Sequence, residues 1–225
     1  MSDSGPSLKS RNLWAKREAR CLAILERALF LLRRTKSLPE AEVDLNRLLY
    51  FCLLRASREL YPNDGIAPTP ECNNQPDPDD NARAIREHKR PDFQWIYLDK
   101  YENNPERSSK QFVVECKRLG KSSRSAWVLN SNYVNHGVQR FKDIEWAYGQ
   151  RFASGAMVGY WQSMDGNAVL TEVNIELRKN SLPELVPLRN WRARPVFGLK
   201  HQLERSFEIS PFRLCHRWVD IRIGD

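Results

Sequence analysis

Cysteine and histidine are sparse in this chain. Its five cysteines (Cys21, Cys52, Cys72, Cys116, Cys215) are scattered through 225 residues without a Cys-x-x-Cys pair, and its four histidines show no zinc-ligand spacing. That pattern argues against a disulfide framework and a zinc site. Long apolar runs are also lacking. The most apolar stretch, Cys21 to Leu32, follows basic residues, is interrupted by Glu26 and Arg27, and precedes no small-residue cleavage site. It reads neither as a signal peptide nor as a membrane span, so a reducing cytoplasm is the expected setting. No internal repeat and no Gly-rich phosphate loop is present, which argues against solenoid and P-loop architectures. Acid is short relative to base: 28 Asp and Glu face 36 Lys and Arg, giving a net charge of +8 and a pI near 9.4. Such a balance suits a polyanionic partner.

What is present, at 41% hydrophobic residues, is enough to close one globular domain. Residues 1–36 read as a basic N-terminal extension and residues 37–225 as the domain proper. The first eight residues are small and polar, and are expected to be disordered. From Lys9 to Lys36, nine Lys or Arg face only Glu18 and Glu26, on a helical pattern whose apolar side includes Leu13, Cys21, Leu22, Leu25, Leu29 and Leu32. The bland reading is a helix packed on the core with a solvated basic face; the functional ones are a DNA-backbone contact or an arm for a protein partner or a homodimer. Ser37-Leu38-Pro39-Glu40 predicts the start of a second helix running to about Leu60. Tyr61 to Asp80, with five prolines, predicts a loop. Val134, Val138, Phe141, Tyr148 and Phe152 predict an amphipathic helix over 134–152. Gly155 to Trp161 predicts a buried strand, Asn167 to Lys179 a helix, and Phe212 to Ile223 a closing strand. His201 and His216 read as structural.

The chemistry concentrates between Pro91 and Lys117. Pro91-Asp92-Phe93-Gln94-Trp95-Ile96-Tyr97-Leu98 and Gln111-Phe112-Val113-Val114-Glu115-Cys116-Lys117 are aromatic and β-branched runs joined by an Asn-, Pro- and Ser-rich segment, which predicts a hairpin. Asp92 stands at the mouth of the first strand. Side chains alternate across a strand, so Glu115 and Lys117 share a face of the second. Two carboxylates and an amine converging this way suit phosphodiester hydrolysis on a hard divalent cation. Oxygen ligands hold the ion, and the amine orients water. Pro76-Asp77 and Pro78-Asp79 repeat the letters with no apolar run behind them. Cations surround the motif: Arg90 precedes it within the cluster Arg83, Arg86, His88, Lys89, and Lys121 and Arg124 follow it among serines, as suits phosphate oxygens.

Pro91-Asp92 with Glu115-Cys116-Lys117 resembles the PD-(D/E)xK nuclease superfamily over roughly residues 37–165. The resemblance implies an α/β restriction endonuclease-like fold, a central mixed β-sheet flanked by helices. It also implies a Mg²⁺- or Mn²⁺-dependent DNA endonuclease, acting on duplex DNA, of a kind common in prokaryotic restriction and anti-phage defence. Asp92, Glu115 and the backbone carbonyl of Cys116 would bind the metal, with Glu42 or Glu59 from the preceding helix as a further ligand, Glu42 preferred. Lys117 would position the water. The phrase Tyr133-Val134-Asn135-His136-Gly137-Val138-Gln139-Arg140-Phe141 is similar to the helix after the Glu-x-Lys strand in restriction-type nucleases, and offers Gln139 or Arg140 to the scissile phosphate. Two alternatives stay open: a non-catalytic nucleic-acid-binding or assembly subunit, and an RNase on the same fold.

Overall fold

The computed structural model describes residues 7–76, 78–121, 128–188, 195–207 and 209–222. It opens with a helical pair, α1 (Leu8–Arg33) and α2 (Glu42–Leu60). Ser7 caps α1, its side chain accepting from the Ser10 amide, so of the segment expected to be disordered Ser7 and Leu8 belong to the helix and 1–6 lie outside the described residues. Cys21, Ile24, Leu25, Ala28, Leu29 and Leu32 recur at three- and four-residue steps. They form one buried stripe against Leu45, Leu49, Leu53 and Ala56 of α2. Several cations on the other side of α1 have structural partners. The Arg17 guanidinium lies 4.6 Å from the Tyr97 ring and that of Arg20 4.2 Å from Tyr61, while Arg27 Nε donates to Glu59 Oε2 at 2.7 Å.

The second helix starts later than Ser37-Leu38-Pro39-Glu40 predicts. Its N-cap position is Ala41, which makes no side-chain cap bond. A tertiary contact outweighs the local signal: the Glu40 carbonyl accepts from Gln162 Nε2 at 2.8 Å, tying this segment to the end of the sheet instead of coiling it.

Among the described residues, seven strands form one mixed sheet in the order β1-β2-β3-β4-β7-β6-β5. They are β1 (Thr69–Pro70), β2 (Phe93–Leu98), β3 (Ser109–Leu119), β4 (Ser154–Trp161), β5 (Val186–Pro187), β6 (Val196–Leu203) and β7 (Phe212–Asp220). The predicted hairpin is present, β2 running antiparallel to β3 with Phe93 opposite Val114 and Leu98 opposite Ser109. β3, β4 and β7 are mutually parallel, and β4 is buried along its whole length, as a central strand covered on both faces must be. Alternation along β3 splits the core in two. Phe112, Val114 and Cys116 join α1 and α2 on one side. Val113 and Leu119 join the helices after β3 and α6 (Gly166–Lys179) on the other. The protein is therefore an α/β structure with helices on both faces of a mixed sheet.

The helix predicted over 134–152 is different in form. Helical structure runs from α4 (Leu129–Tyr133) through a π-helical segment (Val134–Val138) to α5 (Gln139–Lys142), and stops. Asp143 turns extended, its Oδ1 accepting from the Glu145 amide at 2.8 Å, and Ala147 and Gly149 take positive φ. Trp146, Tyr148 and Phe152 are held by turns instead. The predicted loop over 61–80 contains β1, and with the short helix α3 (Arg83–Arg86) it leans on those turns. Asn74 Nδ2 donates to the Trp146 carbonyl and Arg86 Nε to that of Ile144.

Candidate active site

The site lies where β2 stops covering β3. Pairing begins at Phe93 opposite Val114, so among the described residues β3 beyond Val114 has no strand beside it on that edge. Pro91 precedes the strand and has no amide to donate to a ladder. An open edge presents unpaired amides and carbonyls, and these must find partners. Side chains supply them. Asp92 Oδ2 accepts from the Cys116 amide at 2.6 Å, and Glu42 Oε2 from the Arg118 amide at 3.2 Å. The Cys116 carbonyl accepts from Lys117 Nζ at 2.8 Å. Two carboxylates and an ammonium thus take the place of the missing strand.

Glu115, fully buried, completes the group. Lys117 Nζ lies 3.0 Å from Glu115 Oε1 and 2.8 Å from Glu42 Oε1, and Arg140 Nη1 also pairs with Glu115 Oε1. Arg140 reaches in from α5, with its guanidinium 4.2 Å from the Trp146 ring, and Lys89 lies 4.3 Å from the same ring. Among the described residues, Glu115 Oε2 is buried without a hydrogen-bond partner.

Three carboxylates face two cations here, and burial sets the acids' protonation. Desolvation pushes Glu115 up to about 8, the Asp92 charge adding to it against Lys117 and Arg140. Desolvation likewise pushes Asp92 up to about 6, opposed by Lys117 and the Cys116 amide. For Lys117, burial pulls the ammonium down, but Glu115, Asp92 and Glu42 together outweigh it and hold it above the ordinary lysine value.

Whether these groups suit a hard divalent ion can be judged from their donors. All are carboxylate or carbonyl oxygens, one of them orphaned in the interior, and a cation is already what they hold: the Lys117 ammonium bridges Glu42, Glu115 and the Cys116 carbonyl. The chemistry fits. Among the described residues, however, no three His, Cys, Asp or Glu side chains gather into a metal cluster.

Of the residues singled out in the sequence, Asp92, Glu115, Lys117, the Cys116 carbonyl, Glu42 and Arg140 come together. Glu59 does not join them; it pairs with Arg27 on the surface. Gln139 does not either, because its amide donates to Asn180 Oδ1 at 3.1 Å. Arg90 is exposed, with Nε on Asn73 Oδ1, and Lys121 is exposed with its amide on Ser163 Oγ. Arg124 lies outside the described residues. His216 and His201 are buried in a separate network in which His216 Nδ1 lies 2.6 Å from Tyr133 Oη and His216 Nε2 lies 3.3 Å from His201 Nδ1. Burial lowers both, His201 to about 4.

Sequence reasoning missed Asn46 and Tyr160. Asn46 sits one turn after Glu42 on α2, and its Nδ2 donates to Asp92 Oδ1 at 2.9 Å, while Tyr160 Oη donates to Asn46 Oδ1 at 2.8 Å. The four-residue step from Glu42 was a usable signal, since it puts both side chains on one helix face. No signal joined Tyr160 to them. No protein-family model matches this chain, and no curated protein matches it.

Proposed function

We propose that this protein is a metal-dependent nuclease of the PD-(D/E)xK type, hydrolysing phosphodiester bonds in DNA, on a restriction endonuclease-like fold. The observation that carries this reading is the open edge of β3, where Lys117 Nζ bridges Glu42, Glu115 and the Cys116 carbonyl while Asp92 takes the Cys116 amide. Asp92, Glu115, the Cys116 carbonyl and Glu42 would hold Mg²⁺ or Mn²⁺, which supplies Lewis-acid stabilisation of the phosphoryl oxygens and activates water. Lys117 orients the attacking water through its ammonium and stabilises charge as it develops on phosphorus. Arg140, already drawn in by Glu115, is the cation best set to meet the scissile phosphate. The net charge of +8 favours a nucleic-acid substrate. A role as a subunit in prokaryotic restriction or anti-phage defence, in the cytoplasm, follows by analogy with the same superfamily. Among the described residues no helix is long and apolar enough to cross a membrane.

A second reading, a nucleic-acid-binding or assembly subunit without catalysis, draws on the ion pairs that already neutralise Glu115 and on the absence, among the described residues, of a gathered metal cluster. One experiment separates these readings and the RNase alternative. The purified protein is incubated with supercoiled plasmid, linear duplex, single-stranded DNA and RNA, each with Mg²⁺, Mn²⁺ or EDTA. Cleavage of DNA that requires metal and stops in EDTA is expected. Undiminished cleavage in EDTA, or binding of every substrate without cleavage, removes the metal-dependent reading, and cleavage of RNA alone changes the substrate.

A further inference from the structure

A carboxylate that must receive a cation works best when its plane is fixed beforehand, because a freely rotating ligand loses entropy on binding. Asp92 is fixed at both oxygens. Oδ2 accepts from the Cys116 amide at 2.6 Å, and Oδ1 accepts from Asn46 Nδ2 at 2.9 Å. Each oxygen keeps a further lone pair. The amide is in turn set by a third group, Tyr160 Oη, donating to Asn46 Oδ1 at 2.8 Å. This order is the one the chemistry allows. In the carboxylate form that a cation requires of Asp92, a reversed amide would set its oxygen against the Asp92 oxygen at hydrogen-bond distance, two acceptors with no proton between them.

The positions of these groups are built into the elements. Asn46 follows Glu42 by four residues, about 6 Å up the helix on the same face, so α2 brings both a carboxylate and an amide to the edge of β3. Tyr160 is fully buried on β4 directly beside β3, opposite Arg118 in the register. Its hydroxyl is kept protonated by its surroundings, burial foremost, and so remains a donor. A rigid strand therefore anchors the far end of the chain Tyr160–Asn46–Asp92.

We propose that Asn46 is a positioning residue for the cation site, orienting Asp92 for a divalent ion, and that the Tyr160 hydroxyl sets the orientation of its amide. This rests on the metal-dependent reading of the site, and it adds two residues that contribute no atom to the ion. Such outer groups typically govern metal affinity by 10- to 100-fold.

The test is calorimetric titration of Mn²⁺ and Mg²⁺ into the full chain, for the parent, Asn46→Leu, Tyr160→Phe and the double variant, with thermal midpoints in EDTA alongside. Asn46→Leu keeps the shape but cannot donate; Tyr160→Phe deletes one oxygen and keeps the ring. Metal Kd is expected to rise at least ~10-fold in Asn46→Leu. Tyr160→Phe should weaken binding by a smaller factor, and the double variant no more than Asn46→Leu, since both act through one chain of bonds. A residue that merely packs would move the thermal midpoint and leave Kd alone. If Asn46→Leu does not fold, Tyr160→Phe carries the comparison. Parent-like Kd in both variants overturns the proposal while leaving the nuclease reading intact. A parent that binds neither ion and cuts nothing overturns the nuclease reading and this inference with it.

Discussion

An acid buried beside another acid is easier to keep as a neutral group than as an anion, and this gives Asp92 and Glu115 a measurable signature. Asp92 moves from the ordinary 3.8 to about 6, and Glu115 from 4.5 to about 8, both chiefly through desolvation. The folded state then binds more protons than the unfolded one between these values. Linkage makes their contribution fully present below the unfolded pKa and loses it as pH rises through the folded one. His201 and His216 act with the opposite sign, because their lowered values cost stability as pH falls below about 6.5. The Glu115 contribution is therefore isolated by difference. In EDTA, the stability of the parent relative to Glu115→Gln should decline from pH 4.5 to 8 in chemical denaturation. A flat or rising difference would show that Glu115 is not desolvated. Lys117 is tested by rate. Lys117→Ala removes the charge proposed to act in the transition state, so cleavage should fall at least ~10²-fold with DNA binding far less affected. Asp92→Asn keeps the shape and should lose cleavage together with metal affinity. Variants that fold and cut at the parental rate would make Asp92 and Lys117 ordinary edge residues.

At the scale of elements, the sheet centre is the part least tolerant of change. A Cβ added at Gly159 on β4 would lie 2.4 Å from Leu119 Cδ1 and 2.5 Å from Trp218 Cδ1. The leucine tip can yield, but the Trp218 ring is held by its Nε1 donating to Tyr133 Oη at 2.9 Å. Gly159→Ala should destabilise by about 1–3 kcal/mol, the usual cost of overpacking. A denaturation midpoint matching the parent would mean that this layer can re-pack. What the sequence showed of these elements follows how local their causes are. The β2–β3 hairpin was legible because its apolar runs and its polar connection are contiguous. The end of the helix at Lys142 was not, because Tyr148 and Phe152 keep helical spacing while the turn at Asp143 breaks it. β6 was overlooked although Phe197, Leu199, His201 and Leu203 alternate as its buried side; the polar His201 on that side interrupted the apolar alternation that marks a period of two. The site divides the same way. Asp92, Glu115 and Lys117 are brought together by strand geometry alone, and Glu42 by a helix start, whereas Tyr160 gains its meaning only through contact with Asn46 across the fold.

At the scale of the whole molecule, the surplus positive charge is unevenly committed. On α1, Arg20 pairs with Asp64 and lies over Tyr61, Arg27 pairs with Glu59, and Arg17 lies 4.6 Å from the Tyr97 ring. These cations are engaged in holding the helical pair to itself and to its neighbours. Arg90, just before Asp92, and Lys121, beyond the end of β3, are exposed and stand nearer in sequence to the proposed phosphate site. Counterion release turns this difference into a slope, because each phosphate neutralised contributes about −0.9 to the log-log dependence of duplex binding on salt. Replacing both Arg90 and Lys121 by Glu should make that slope shallower by about 1–2, with little change in thermal midpoint. Replacing Arg20 and Arg27 by Glu should do the reverse, lowering the midpoint while leaving the slope near the parent's, since a lost surface pair costs up to about 1 kcal/mol. Binding measured by fluorescence anisotropy across a salt series reads both. If reversal on α1 flattens the slope and reversal at Arg90 and Lys121 does not, the N-terminal helix is the DNA-facing surface.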